Sequence, residues 1–221
     1  MKITYGSIES GRDYIKQNIH ASKISNPTYR VIDLGGIAID LVGNTAQGGW
    51  SNEFCDLVVD INSPPDNPKA IAVDICDPNS WLKLFDIVEK DGLFDYAICT
   101  HTLEDIYNPI LSLTFLPKIA KAGIITMPSI RTELSRPESN DWLGYIHHRW
   151  IFDQEDGQML LAPKLSFLES LVKNTVSYNP QRAEIRYEWQ QEIPFKQFMN
   201  NYLGPNLNTV IENYRQLIAK V

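Results

Sequence analysis

The sequence predicts a doubly wound α/β fold built on a mostly parallel sheet, and three observations carry that expectation. A β-branched run, Tyr29-Arg30-Val31-Ile32-Asp33-Leu34, stops at the pair Gly35-Gly36. A buried strand reads this way when it ends in a tight turn that another backbone or a ligand can approach closely. Four more short apolar runs follow before residue 130, and stretches with apolar residues at helical spacing separate several of them. Such alternation implies right-handed crossovers into a parallel sheet covered on both faces.

Taken in order, a helix at residues 8–19 and Pro27 precede the first strand, residues 29–34. Residues 40–51, rich in Gly, Asn and Gln and holding Trp50, read as a loop or a partly helical connection to the second strand, residues 57–61. Pro64, Pro65 and Pro68 punctuate a turn before the third strand, residues 70–75, which carries Asp74. Asp77 as N-cap and Pro78 at the first position open a helix whose Trp81, Leu84, Phe85 and Val88 share a face, and Gly92 closes it. A fourth strand at residues 95–99, a helix over residues 103–120 and a fifth strand at residues 123–127 complete the pattern.

The texture changes at Arg149. Trp150-Ile151-Phe152 and Met159-Leu160-Leu161 flank Asp156-Gly157 and read as a hairpin. A helix at residues 166–173, an alternating extended segment at residues 184–195 and a closing helix at residues 206–220 follow. This half is expected to complete the same sheet with antiparallel strands, giving one domain over residues 1–221.

Composition narrows the partners. The net charge of -7 and the lack of any clustered Lys and Arg argue against a nucleic-acid partner. Cys55, Cys76 and Cys99 are odd in number, lack a CxxC partner and sit in or beside apolar runs, as reduced buried thiols do. The first residues form no apolar export signal, and no apolar run reaches the ~18 residues that span a bilayer. No membrane attachment is expected, and the expected location is cytoplasmic.

Three landmarks resemble class I S-adenosylmethionine-dependent methyltransferases of the type 11 sort, over roughly residues 30–129. They are Val31-Ile32-Asp33-Leu34-Gly35-Gly36 at that family's glycine loop, Asp60 at the end of strand two, and the run from Phe94 through Thr100, His101, Thr102, Leu103 and Glu104 to Pro109. The segment from Leu116 to Ser129, with Lys121-Ala122-Gly123 and Met127-Pro128, adds to the likeness. The glycine loop departs from the family's GxGxG pattern at Ile37 and Ile39. The resemblance implies a Rossmann-like, seven-stranded sheet, S-adenosylmethionine as cofactor and a small-molecule or sugar-like acceptor. It divides the chain into an N-terminal helical segment, residues 1–28, a cofactor-binding half, residues 29–130, and an acceptor-side half, residues 131–221.

On this reading Gly35 and Gly36 form the cofactor turn. Asp33 either caps that turn or meets the cofactor's ammonium group. Asp60, at a strand tip in a doubly wound sheet, is placed to accept both ribose hydroxyls. Asp74 or Asp77 falls where the family meets the adenine amino group, with the N-cap as the competing role for Asp77. Thr100 and His101 fall beside the cofactor. Methyl transfer to a hydroxyl needs a proton acceptor held in line, and His101 or His148 is the candidate base, with a helix cap or wall as the alternative for His101. Adjacent histidines in an extended segment point to opposite sides, so His147 and His148 are not expected to share a metal. Arg149 is expected to pair with a carboxylate, and Trp142 and Trp150 remain open for stacking on an acceptor. Two further readings stand beside the methyltransferase. One is a binding or scaffold module of the same fold without cofactor, motivated by Ile37 and Ile39. The other is a metal-assisted hydrolase using His101, Glu104, His147 or His148.

Overall fold

The computed structural model describes residues 1–36, 49–63, 67–172, 176–198 and 207–221. The chain opens with a strand, β1 (Lys2–Gly6), and a helix, α1 (Ile8–Ser25), whose N-cap Ser7 accepts from the Ser10 amide. The strands β2 (Val31–Leu34), β3 (Leu57–Asp60) and β4 (Ala70–Ala72) follow. Next come α2 (Leu82–Asp91), β5 (Tyr96–Thr100), α3 (Pro109–Ile119), β6 (Ala122–Pro128) and the short α4 (Ile130–Glu133). The last part holds β7 (Trp150–Glu155), β8 (Gln158–Pro163), α5 (Leu168–Leu171), β9 (Glu184–Gln190), β10 (Phe195–Gln197) and α6 (Leu207–Ile218).

The main sheet has seven strands in the order β1-β9-β6-β5-β2-β3-β4. Strands β6, β5, β2, β3 and β4 pair in parallel, but β9 runs antiparallel to both β6 and β1. The sheet is therefore mixed where a mostly parallel one was expected. The edge strand β1 was not anticipated, because its polar sequence carries no buried-strand pattern; β9 supplies its pairing.

Both faces of the sheet are covered, as the near-continuous apolar runs require. Ile32, Leu34, Cys99, Ile125 and Met127 pack toward Trp81, Leu84, Leu113 and Leu116. Val31, Val58, Ile98 and Ile124 pack toward Ile15 and Ile19 of α1. All three cysteines are buried and unbonded. From β2 the chain steps outward to β3 and β4, and from β5 it steps the other way to β6. The strand order thus reverses between β2 and β5, and ligands of open α/β sheets bind in the crevice beyond the carboxyl ends at such a point.

Three details differ from expectation. The hairpin of β7 and β8 does not join the main sheet; with β10, parallel to β8, it forms a separate three-stranded sheet. Both of its faces are apolar, so Phe152, Met159 and Leu161 enter the main core while Ile151, Leu160 and Ala162 build a second one with Val210, Tyr214 and Leu217. Asp77 does not cap α2. Its Oδ1 accepts from the Asn79 amide in a turn, and the helix starts at Leu82. Nor does a helix begin at residue 103. Asn108 caps α3 and Pro109 fixes its first turn, leaving residues 101–108 as turns at the sheet edge. Among the described residues no helix is long and apolar enough to cross a membrane.

Candidate functional site

Beyond the carboxyl ends of β2, β3 and β4 lies a cavity of about 180 Å3 whose wall includes Gly35, Asp60, Asp74, Cys76, Thr102 and Ile106. Gly35 has φ +85°, and a Cβ there would overlap the Thr102 side chain, so the turn exists only as glycine. Its amide donates to the Val59 carbonyl at 2.8 Å, tying the turn to β3. Gly36 lies against Asp33, where a Cβ would overlap the carboxylate. Asp60 Oδ1 accepts from the Asn62 amide at 2.6 Å, and Asp74 Oδ1 accepts from Cys76 at 2.8 Å, so short turns aim both carboxylates at the cavity edge. Asp77 is not part of this wall. Thr100 acts through its carbonyl, which accepts from Thr102 Oγ1 at 3.0 Å and holds that side chain in the wall.

Asp33 sits on the other face of the sheet, beneath the glycine turn, 1% exposed. Ser51 Oγ donates to its Oδ2, and its Oδ1 is buried without a hydrogen bond among the described residues. Burial pushes the carboxyl up to about 7; the Ser51 hydroxyl pulls it back and the Asp60 charge adds to the rise.

A second cavity, about 200 Å3, is walled by His101, Glu104, Asp105, Tyr145, His147 and His148, among others. The turn after β5 is common to the two: His101, Glu104 and Asp105 face this cavity, Thr102 and Ile106 the other. His101 therefore lies on the far side of that turn from Gly35 and Asp60, not among them as expected.

His101 has φ +48°, a left-handed backbone rare outside glycine. Its Nε2 lies 3.0 Å from Glu184 Oε2 and its Nδ1 3.3 Å from Glu104 Oε1. Burial alone would lower its pKa, but the two carboxylates outweigh burial and raise it to about 9. At neutral pH the ring is an imidazolium, which stabilises nearby negative charge and does not accept a proton. Arg186 neutralises the other side of Glu184, its Nε donating to Oε1 at 2.6 Å and its Nη2 to the Ser7 carbonyl and Ser10 Oγ. Glu104 is 1% exposed; its Oε1 has the His101 ring as ion-pair partner, and neither oxygen is hydrogen-bonded among the described residues.

His148 is buried, its Nδ1 2.6 Å from Glu133 Oε1. Lys164 Nζ donates to Glu133 Oε2 at 2.7 Å and to the Tyr145 carbonyl at 2.8 Å. The segment before β7 is a turn, with the His148 amide donating to the Tyr145 carbonyl at 3.2 Å. The opposite orientation expected of His147 and His148 therefore does not hold: their ring centroids are 4.5 Å apart. Each Nε2 lies 3.7 Å from Asp105 Oδ1.

Glu184 and Arg186 were not singled out from the sequence. Their signal is the alternation of charged residues with Ile185, Tyr187 and Trp189 along one strand. Neither expected tryptophan reaches the cavities: Trp150 Nε1 donates to the Ile106 carbonyl and Trp142 Nε1 to Glu138. Arg149 makes no ion pair among the described residues; its amide donates to the Glu104 carbonyl at 2.6 Å. Ile37 and Ile39 lie outside the described residues.

No family model and no curated protein matches the chain. Among solved structures, similarity is found to an S-adenosylmethionine-dependent methyltransferase from Mesorhizobium loti, at 14% identity and a TM-score of 0.29 over 61% of this chain and 56% of that one. The MycE methyltransferase of the mycinamycin biosynthetic pathway, solved with Mg, SAH and mycinamycin VI, matches at 13% identity and a TM-score of 0.39 over 89% of this chain and 53% of that one. The N-terminal domain of EvdMO1 with SAH bound matches at 12% identity and a TM-score of 0.32 over 90% and 69%. The chain spans little more than half the length of the first two.

Proposed function

We propose that the protein is an S-adenosylmethionine-dependent methyltransferase acting on a small-molecule or sugar-like acceptor. The observation that carries this reading is the pair of cavities sharing the turn after β5 at the strand-order reversal. In this reading the adenosyl group occupies the cavity of Gly35, Asp60 and Asp74, with Asp60 accepting from the ribose and Asp74 from the adenine amino group. The acceptor occupies the cavity of His101, Glu104 and His148, so that its hydroxyl would meet the sulfonium methyl directly at the edge of the shared turn, with the thioether of S-adenosylhomocysteine as leaving group. His101, as a cation, stabilises developing negative charge. The acceptor's proton goes to His148 Nε2, oriented through Glu133, or to Glu104.

Calorimetric titration with S-adenosylmethionine and S-adenosylhomocysteine tests this. Stoichiometric binding of both, weakened about tenfold or more in Asp60→Ala by the loss of charge-assisted hydrogen bonds, is expected. A folded protein that binds neither overturns the reading. It would leave the scaffold module motivated by isoleucine, in place of glycine, at positions 37 and 39.

A further inference from the structure

The turn at residues 145–148 and the turn after β5 bring two imidazoles and a carboxylate together in the acceptor cavity. We propose that Asp105, His147 and His148 form a binding site for a divalent first-row transition-metal ion, Zn2+ or Mn2+ in class. The ligating atoms all lie within 4.8 Å of one another, and each imidazole Nε2 stands 3.7 Å from Asp105 Oδ1. That spacing is too long for a hydrogen bond and close to the ~3.4 Å between two ligands that share an ion through bonds of ~2.1 Å.

Two observations point to a cation here. Among the described residues Asp105 Oδ1 is buried without a hydrogen-bond partner, and the adjoining Glu104, which faces the same cavity, has its Oε1 beside the His101 ring but its Oε2 buried without a hydrogen bond. Buried carboxylate oxygens left unpaired are costly, and a bound cation offsets that cost. The second is the orientation of His148. With Nδ1 held at 2.6 Å from Glu133 Oε1, and Glu133 held by Lys164, Nε2 is the nitrogen that presents its lone pair to the cavity. A carboxylate behind an imidazole is the usual outer support of a metal ligand. Two imidazoles with one carboxylate favour Zn2+ or Mn2+ over the all-oxygen preference of Mg2+ and Ca2+. With His148 Nε2 engaged, Glu104 is the carboxylate left to take a proton in that cavity.

The site stands on its own geometry; only its use in holding an acceptor hydroxyl rests on the methyltransferase reading. The test is titration of the chelator-treated full chain with Zn2+ by chelator competition and with Mn2+ by paramagnetic resonance. One ion per chain is expected, weakened at least tenfold by His147→Ala and by Asp105→Asn, and unchanged by His20→Ala on the exposed face of α1. His147 is exposed, so its removal spares the fold. Glu133→Gln is expected to weaken binding about tenfold without removing a ligand. Absence of binding at millimolar metal, or binding that survives both His147→Ala and Asp105→Asn, overturns the proposal. S-adenosylhomocysteine titrated into the same samples separates the two questions: metal bound without cofactor leaves the site standing and the methyltransferase reading fallen, and the reverse result does the opposite.

Discussion

His101 Nε2 stands 3.0 Å from Glu184 Oε2, so the residue that follows β5 is clamped to the first residue of β9. The clamp joins the parallel half of the sheet to its antiparallel edge at the cavity walled by His101, Glu104 and His148. It holds a non-glycine residue in a left-handed backbone conformation, which costs about 1–3 kcal/mol unless neighbouring contacts enforce it.

This pairing makes stability depend on pH. The His101 pKa rises from 6.5 unfolded to about 9 folded, because Glu104 and Glu184 outweigh the opposing effect of burial. The folded protein binds the proton more tightly, so the contribution is complete below about pH 6.5 and is lost as pH climbs through about 9. A loss of roughly 2–3 kcal/mol across that window is expected in urea unfolding. The His101→Gln variant should lack this slope; a variant with the parent's slope would assign it to another group.

Asp33, on the other face of the sheet, predicts a loss in the same direction over a lower pH range. Its carboxyl is raised to about 7 by burial, so the native state binds more protons than the unfolded chain and stability falls as pH rises from about 4 to 7. Asp33→Asn removes the buried charge, and at pH 8 it should unfold at higher urea than the parent by roughly 2–4 kcal/mol, with the gain vanishing at pH 4. If Asp33 also meets the cofactor's ammonium group, the stabilised variant binds S-adenosylmethionine more weakly.

At Gly35 a methyl group meets two obstacles, the positive φ and Thr102. Gly35→Ala is expected to cost about 1–3 kcal/mol in chemical denaturation and to abolish S-adenosylhomocysteine binding in protein that still folds. Adding Thr102→Ala relieves only the overlap, so partial recovery of stability is the expected result.

Lys164 and Glu133 form an ion pair under the turn that carries both histidines, with Glu133 almost fully buried. Lys164→Met leaves Glu133 without its cation and should destabilise by about 3–5 kcal/mol. The double variant Lys164→Met, Glu133→Gln should recover much of that loss, measured as a coupling energy in a double-mutant cycle.

The apolar runs before residue 130 made β2, β3, β5 and β6 legible, because a strand buried on both faces must be continuously apolar. The same rule hid β1, whose Lys2 and Thr4 carry no such pattern. The turns at Gly35 and Asp60 could be read from residue types alone. The orientation of His147 and His148 could not, since it depends on whether their segment is extended or turned, and the His148–Tyr145 hydrogen bond decides that. Glu184 and Arg186 gain their meaning only from α1 and His101, which are distant in the sequence. The start of α3 was legible in Asn108-Pro109, but the apolar residues before it extended the apparent helical period backward.

The pairing of β1 with β9 also constrains how the protein assembles. Lys2 and Glu188 are partners in the ladder, so this edge closes only after residue 188 has been made. During synthesis β1 leaves the ribosome long before its partner is made and waits unpaired, while the parallel core from β2 to β6 can form without it. Contacts this distant along the chain are slow to close. Newly made protein should therefore pass through a stage in which the crevice beside Gly35 and Asp60 is finished while Glu184 has yet to reach His101.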